Sequence, residues 1–154
     1  ATGNNDLAGK CLTFYLDSEE YGLEILKVRE IIGMMNITPV PQTPPFIRGV
    51  VNLRGKVIPV IELRTKFGMP AVEETGQTCI IVVQVGGADM GVVIDRVSEV
   101  TDIAADDIQD APSFGSSVDA DFILGIGKSA NGVKLLLDIE RVLSDADMLD
   151  LAAL

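Results

Sequence analysis

The sequence predicts an all-β fold with short helices, in which two small β-barrels pack together. Apolar residues make up 47% of the 154 positions and charged residues 23%, a balance that is typical of a globular protein. Short runs rich in Val and Ile recur between Gly and Pro residues, as is typical of strands. The sequence also repeats internally, with about five short strands and a short helix in each half. Because five short strands avoid exposed edges only by closing, each half is expected to form a barrel.

The first half begins with a predicted hairpin of two strands, Leu12–Leu16 and Tyr21–Ile25. The apolar spacing of Leu26–Ile32 does not decide between strand and helix. Thr38–Pro45 contains four prolines and is expected to form an extended connector, because proline is excluded from helix interiors and central strands. A short turn of helix is expected at Phe46–Arg48, directly before the next strand.

A second hairpin is predicted between two apolar runs, Gly49–Leu53 and Val57–Leu63. Gly55 lies between them and takes a positive φ at no steric cost, which favours a tight turn. The tip also carries an amide and two cations on a protein whose net charge is −11: Asn52, Arg54 and Lys56. These side chains form either an ordinary polar turn or a functional site, and the repeat helps to decide between the two.

Arg64–Gly76 is a polar segment with the composition of a loop, and it is the best candidate for a domain boundary. We therefore predict a disordered lead-in at residues 1–10, a first barrel at residues 11–75, and a second barrel with a C-terminal helix at residues 76–154. This prediction allows the two barrels to exchange strands at their boundary. The predicted elements of the second half are, in chain order, strands at Thr78–Val85 and Met90–Val97, a local helix near Ala105–Ile108, strands at Phe122–Ile126 and Val133–Ile139 around an Asn131-Gly132 turn, and a helix from Glu140 onwards.

Two segments of the first half have counterparts in the second half. Tyr21–Ile31 (YGLEILKVREI) aligns with Met90–Val100 (MGVVIDRVSEV), and FIRGVVNLRGKVIPVIEL, which begins at Phe46, aligns with FILGIGKSANGVKLLLDI, which begins at Phe122. In the second alignment Arg54 corresponds to Ala130, although the flanking strands stay apolar. Since the second hairpin lacks the cation, the fold does not require it, and this favours a functional role for Arg54.

The residue types argue against an enzyme or a metal protein. The chain has no histidine, so a Ser–His or Cys–His nucleophile is impossible. An acidic segment, Asp102–Asp110, lacks the glycine and the terminal glutamate of a calcium loop, and a solvated acidic surface is the simpler interpretation. No cofactor, metal ion or small-molecule substrate is therefore expected, and a protein-binding role remains.

The charge and the cysteines restrict the partners and the environment. A net charge of −11 opposes binding to nucleic acid or to an anionic membrane surface. No apolar stretch is long enough to span a bilayer, and the first residues do not have the pattern of a secretory signal. Cys11 and Cys79 are expected to be small buried residues with reduced thiols, although the sequence leaves a disulfide between them open.

Four segments carry a resemblance to a known family: YGLEILKVREI, the proline-rich connector, PPFIRGVVNLRGKVIPVIELR and MGVVIDRVSEV. Together they closely resemble the CheW family, the coupling proteins of bacterial chemotaxis, over the chain from Cys11 to Leu149. The motif NLRG followed by PVIELR is highly specific for this family. The resemblance implies two five-stranded, SH3-like barrels and a non-enzymatic role.

CheW-like proteins are adaptors of the cytoplasm that are recruited to membrane-associated receptor arrays. They link the tips of methyl-accepting chemoreceptors, which are helical hairpins, to the regulatory domain of the histidine kinase CheA. The resemblance therefore implies a chemotaxis adaptor without direct insertion into the membrane. A CheW-like adaptor in another receptor–kinase pathway, such as twitching or a non-motility system, stays open as the alternative.

The resemblance also implies that the receptor tip docks in a groove between the two barrels. The implied receptor-binding positions are Arg54, Glu30, Val28, Gly55, Asn52 and Ile80, with Cys79 beside the last of them. Kinase contact is implied mainly in the second barrel, with three candidate residues: Gly125, Ile126 and Leu136. Glu30 is either an ordinary surface charge or the partner that holds the Arg54 guanidinium in place.

Overall fold

The computed structural model describes residues 9–109, 122–129 and 132–143, and it confirms the prediction of an all-β fold with short helices. Two α-helices, α1 (Leu63–Lys66) and α2 (Ile139–Val142), each follow a hairpin, and two 3-10 helices lie at Ile25–Lys27 and Ala105–Asp107. None of the described helices has the length and apolar character needed to cross a membrane. The described strands are β1 (Gly9–Leu16), β2 (Glu19–Glu24), β3 (Val28–Gly33), β4 (Ile47–Leu53), β5 (Lys56–Glu62), β6 (Cys79–Val85), β7 (Ala88–Ile94), β8 (Arg96–Ile103), β9 (Ile108–Gln109), β10 (Ile123–Ser129) and β11 (Gly132–Leu137).

The strands form two sheets. One has six strands in the order β8-β1-β2-β11-β10-β9, and the other has five in the order β3-β6-β7-β5-β4. Neighbouring strands are antiparallel except for β2 with β11 and β5 with β7, which are parallel. Neither sheet closes on itself through strand pairing within the described residues, so the two units are SH3-like barrels that stay open.

Each sheet contains strands from both halves of the chain. The β1–β2 hairpin pairs with β8 and β11, whereas the β6–β7 hairpin pairs with β3 and β5. The exchange is reciprocal, since one hairpin of each half enters the sheet of the other half. The domain boundary between residues 75 and 76 stays a prediction, and strands from both sides of it contribute to each sheet.

The structure confirms the internal repeat at the level of single hydrogen bonds. β4 and β10 begin at aligned residues of the repeat, and both contain a register shift directly after their first residue. The N–H of Glu62 donates to the carbonyl of Phe46 at 2.7 Å, and at the equivalent place the N–H of Asp138 donates to the carbonyl of Phe122 at 2.8 Å. Each of these bonds fixes the end of a hairpin directly before a helix.

Two sequence predictions in the strand regions are wrong in detail. The turn of helix expected at Phe46–Arg48 is replaced by strand, because β4 begins at Ile47 after a turn in which the Ile47 N–H donates to the Pro44 carbonyl at 3.0 Å. The strand expected at Met90–Val97 ends at Ile94, where the chain crosses from the five-stranded sheet to the six-stranded sheet.

Other predictions are only partly met or fall outside the described residues. The polar segment Arg64–Gly76 is not entirely loop, since α1 covers its first residues. The helix expected from Glu140 begins at Ile139 as α2, and its continuation past Leu143 lies outside the described residues. The first eight residues of the expected lead-in and Asn131 of the expected turn also lie outside them.

Three clusters of buried apolar side chains stabilise the sheets. A fully buried aliphatic or aromatic side chain contributes about 1.5–3 kcal/mol, so these clusters supply most of the favourable free energy of folding. The inter-sheet core joins both sheets through residues such as Phe14, Tyr21, Ile81 and Met90. The first inner core belongs to the five-stranded sheet and contains Val51, Ile58, Val60, Ile80, Val82 and Val93. The second inner core belongs to the six-stranded sheet and contains Cys11, Ile103, Ile108 and Leu136.

Candidate functional site

The β4–β5 hairpin ends in a tight two-residue turn. Arg54 and Gly55 both have positive φ, 53° and 86°, which matches the twist of a two-residue hairpin. The Asn52 side-chain carbonyl oxygen accepts a hydrogen bond from the Gly55 N–H at 2.8 Å. Asn52 and Gly55 therefore shape the turn. Arg54 is a non-glycine residue in the left-handed region, which a two-residue hairpin turn of this type requires at both of its central positions.

Arg54 pairs with Glu30, and the pair ties the hairpin tip to strand β3. Arg54 Nη1 donates to Glu30 Oε1 at 3.2 Å, and Nη2 makes a second contact with Oε2. The Arg54 side chain is 68% exposed and that of Glu30 is 32% exposed. Hydrogen bonding by the Glu30 carboxylate raises the pKa of Arg54, which keeps the guanidinium charged. The pair holds the arginine in one orientation while leaving most of it open to a partner.

A second ionic cluster lies beside this turn and was missed by the sequence prediction. The carboxylate of Asp89 is 13% exposed and pairs with Arg29 Nε at 3.4 Å and with Lys56 Nζ at 3.2 Å. Asp89 thereby joins three strands, β3, β5 and β7. Its only signal in the sequence is its position after the Gly86-Gly87 turn, which does not identify its two partners.

Two exposed apolar residues occupy equivalent positions on the edge strands β3 and β8. Ile31 is 43% exposed and Val100 is 53% exposed. Val28 and Val97, three residues earlier on each strand, both pack against the inter-sheet core. Since both edge strands reach the same core, an apolar surface borders the junction of the two sheets. The sequence did carry a signal for this pair, because both residues end the aligned segments YGLEILKVREI and MGVVIDRVSEV.

Three of the expected contact residues are buried, and their role in contact with a partner stays a prediction. Ile80 is 0% exposed and lies in the first inner core, and Leu136 is 3% exposed and lies in the second. Cys79, expected beside the groove, packs in the inter-sheet core. β6 and β11 bury residues on both faces, so their apolar runs do not reveal which side chains point outwards. These three residues are at most 9% exposed, so in this structure they offer little surface to a partner.

The other expected kinase-contact residues lie in β10. Gly125 is buried and pairs with Leu136 of β11 at the register shift, whereas Ile126 is half-buried. The nearest strongly exposed apolar side chain on that hairpin is Val133 of β11, at 57% exposure. The cysteines are as expected: Cys11 and Cys79 are free and buried, and burial raises the pKa of both thiols.

The chain is similar in sequence and in fold to known proteins of one family. A family model for the CheW-like domain matches residues 10–147. The chain is 41% identical over 137 residues to the chemotaxis protein CheW of Klebsiella aerogenes, which covers 89% of this chain and 82% of that protein. It is 35% identical over 140 residues to CheW of Helicobacter pylori, covering 91% and 84%. The scaffolding protein TtCheW from Thermoanaerobacter tengcongensis has a similar fold, with a TM-score of 0.84, 34% identity and coverage of 91% and 95%.

Proposed function

The chain belongs to the CheW-like domain family, which makes it a chemotaxis scaffold, and from this we propose that it couples chemoreceptors to the histidine kinase CheA. In this proposal it acts in the cytoplasm, without catalysis, at membrane-associated receptor arrays. One surface takes the helical tip of a receptor, and a second takes the regulatory domain of the kinase. The partners on both surfaces are proteins.

The observation that supports the receptor surface most strongly is the neighbourhood of Ile31. Ile31 is an exposed apolar side chain at the edge of the sheet, and its equivalent Val100 lies on the other edge strand. Glu30, the residue before Ile31, points to the opposite face of the same edge strand and holds the exposed Arg54. A helical hairpin presents an apolar stripe flanked by polar groups, and such a stripe fits an apolar surface with a fixed cation beside it. Arg54 supplies hydrogen-bond donors that set the register of the bound helix.

The kinase surface is proposed on the β10–β11 hairpin of the six-stranded sheet. Ile126 and Val133 offer apolar area there, and Gly125 pairs with Leu136 of β11 at the register shift. This surface lies on a different sheet from the Arg54 turn. Strand β8, which carries Val100, belongs to the same six-stranded sheet as β11, but β1 and β2 lie between them. The two partners are therefore expected to bind at the same time, as an adaptor requires.

The test is co-sedimentation of the protein with receptor-containing membranes, with and without CheA, together with an assay of CheA phosphorylation. The expected result is that the protein enters the pellet with receptor and raises CheA phosphorylation. Binding to the kinase without binding to any chemoreceptor would move the protein to another receptor–kinase pathway. Binding to neither would show that this chain has the fold of the family without its function.

A further inference from the structure

The chain crosses between the two sheets at equivalent points of the repeat. One crossover leads from β2 into β3 through Ile25–Lys27, and the other leads from β7 into β8 through Asp95. Each crossover therefore directly precedes the edge strand that carries an exposed apolar residue. The position of an edge strand depends on how firmly its first residue is held.

Both crossovers are held by an ion pair to a helix of the repeat. Arg64 of α1 donates from Nε to Asp95 Oδ1 at 2.8 Å and makes a second contact through Nη2. Lys27 pairs through Nζ with Glu140 of α2. Arg64 and Glu140 each directly follow the aligned hairpin segments, so the same helix position is a cation in one half and an anion in the other. Because the charges are reversed, Arg64 repels Lys27, and Glu140 repels Asp95. Each crossover residue is therefore attracted to only one of the two helices.

The two anchors differ in how firmly they hold the chain. The Arg64 side chain is 6% exposed, and the Asp95 carboxylate also accepts a hydrogen bond from the Asp17 N–H at 2.7 Å. Lys27 and Glu140 are 33% and 54% exposed and make a single contact. The residue before Lys27 is Leu26, which is 93% exposed and therefore does not anchor the crossover through packing. Ile25 and Val28, on either side of these two residues, pack against the inter-sheet core, and the Lys27–Glu140 pair adds a solvent-exposed tie from this crossover to α2.

On the basis of the proposed function, we propose that the Lys27–Glu140 ion pair positions edge strand β3 against β8 and so sets the geometry of the receptor surface. Lys27 and Glu140 act through Ile31 and Val100 and do not themselves touch the receptor. The Arg64–Asp95 ion pair holds β8 in a fixed position on the other side of this surface. Hydrogen bonding by Glu140 raises the pKa of Lys27, so the Lys27 ammonium group stays charged at neutral pH.

The first experiment measures receptor co-sedimentation for Glu140→Lys, Lys27→Glu and the double variant that carries both changes. Each single change puts like charges together, and we expect receptor binding to fall about fivefold. The double variant restores the pair with reversed polarity and is expected to bind within about twofold of the wild type. Glu73→Lys makes the same charge change on an exposed loop and is expected to bind normally. Melting temperature and CheA binding are expected to stay unchanged in all four variants.

Two further readouts separate positioning from a general structural role. At about 1 M salt the screening length is about 3 Å, so the difference between wild type and Glu140→Lys is expected to shrink. Spin labels on cysteines introduced at Ile31 and Val100 report the distance between β3 and β8, because the native cysteines are buried. The distance distribution is expected to broaden in Glu140→Lys and to narrow again in the double variant.

Unchanged receptor binding in Glu140→Lys, or no recovery in the double variant, would overturn the positioning role. An identical distance distribution in every variant would overturn it as well. If the wild type fails to sediment with any receptor, the proposed function is wrong, and the label distances still decide whether the ion pair positions β3.

Discussion

Ile31 on β3 and Val100 on β8 occupy equivalent positions of the repeat, and both keep exposed apolar side chains. A single exposed apolar residue is ordinary in a folded protein. Here the same position is apolar and exposed in both halves, although the two segments differ at most other positions. The repeated exposure of an apolar side chain at this position is therefore best explained by a partner that covers both Ile31 and Val100.

Ile31→Ala and Val100→Ala are each expected to weaken receptor co-sedimentation by about tenfold, because each change removes apolar area from the proposed receptor surface. Neither change should lower the melting temperature by more than a few degrees, since both side chains are exposed. Val72→Ala is the matched control, because Val72 is 58% exposed on a loop. Equal binding by Ile31→Ala and Val72→Ala would contradict the receptor surface proposed here.

Arg54→Ala is expected to leave the fold intact and to weaken receptor binding about tenfold. The fold should tolerate the change because the equivalent position in the repeat is Ala130 and the Arg54 side chain is largely exposed. Binding should weaken because, in the proposed complex, the guanidinium donates hydrogen bonds to the receptor helix. Circular dichroism melts and receptor co-sedimentation measure the two parts separately.

Lys10→Ala serves as the control for Arg54→Ala, since Lys10 also forms an exposed ion pair, with Asp102 at 3.3 Å. It removes one cation without touching the hairpin turn and should bind receptor like the wild type. Gross unfolding of Arg54→Ala would refute the first expectation. Receptor binding that equals that of Lys10→Ala would refute the second.

Ile80→Ala is expected to destabilise the protein by about 2–5 kcal/mol, the usual effect of removing a large side chain from a core. Ile80 is fully buried among the residues of the first inner core, so the change leaves a cavity and exposes no partner surface. Urea unfolding measures the loss, and receptor binding by the folded fraction should be unchanged. A variant with normal stability and lost receptor binding would restore Ile80 as a contact residue.

The sequence was sufficient to predict the fold class and the repeat because both depend on local patterns. Turn chemistry located the Arg54-Gly55 turn, and the aligned segments located the second hairpin. The reciprocal exchange of the β1–β2 and β6–β7 hairpins could not be read from the chain. Strand pairing between residues far apart depends on the whole assembly, and either pairing satisfies the same apolar pattern.

The sequence predicted the parts of the site that contain charged residues. It did not predict which residues of the apolar strands are exposed. Arg54 and Glu30 stood out as charged residues in specific motifs, and the structure brings them together. The burial of Ile80 and Leu136 was not predicted, because strands buried on both faces show no alternation between polar and apolar residues. Asp89 was missed because its partners lie on two other strands, which only the tertiary structure brings close.

Gly91→Ala is expected to destabilise the protein by about 1–3 kcal/mol through overpacking. A Cβ atom at Gly91 would lie 2.8 Å from Ile80 Cγ2 and 3.4 Å from Val60 Cγ2, where β7 runs parallel to β5. Gly33→Ala is the control, because a Cβ atom at Gly33 meets nothing within 4 Å. Similar unfolding midpoints for both variants would show that the Ile80 side chain has room to move away from an added methyl group.

The Arg64–Asp95 ion pair predicts a stability difference that depends on pH. Burial alone would raise the pKa of Asp95, but the hydrogen bonds from Arg64 and the Asp17 N–H outweigh it and lower that pKa below its ordinary value. A carboxyl group with a lowered pKa in the folded state stabilises the protein fully above the unfolded pKa of about 3.9. This contribution is lost as the pH falls from there through the lower folded-state pKa.

Arg64→Ala is therefore expected to destabilise the protein by about 3 kcal/mol at pH 7, because it leaves a largely buried carboxylate without its partner. The gap in unfolding free energy between wild type and Arg64→Ala should narrow as the pH falls below about 4, since protonated Asp95 no longer needs the guanidinium. Urea titrations at pH 7 and at successive values down to pH 3 measure this gap, and comparing the two proteins cancels the other carboxylates that titrate there. Lys10→Ala, which breaks an exposed pair, should show a gap below about 1 kcal/mol at every pH. A gap for Arg64→Ala that stays constant from pH 7 to pH 3 would mean that the arginine stabilises the crossover by packing and not by its charge.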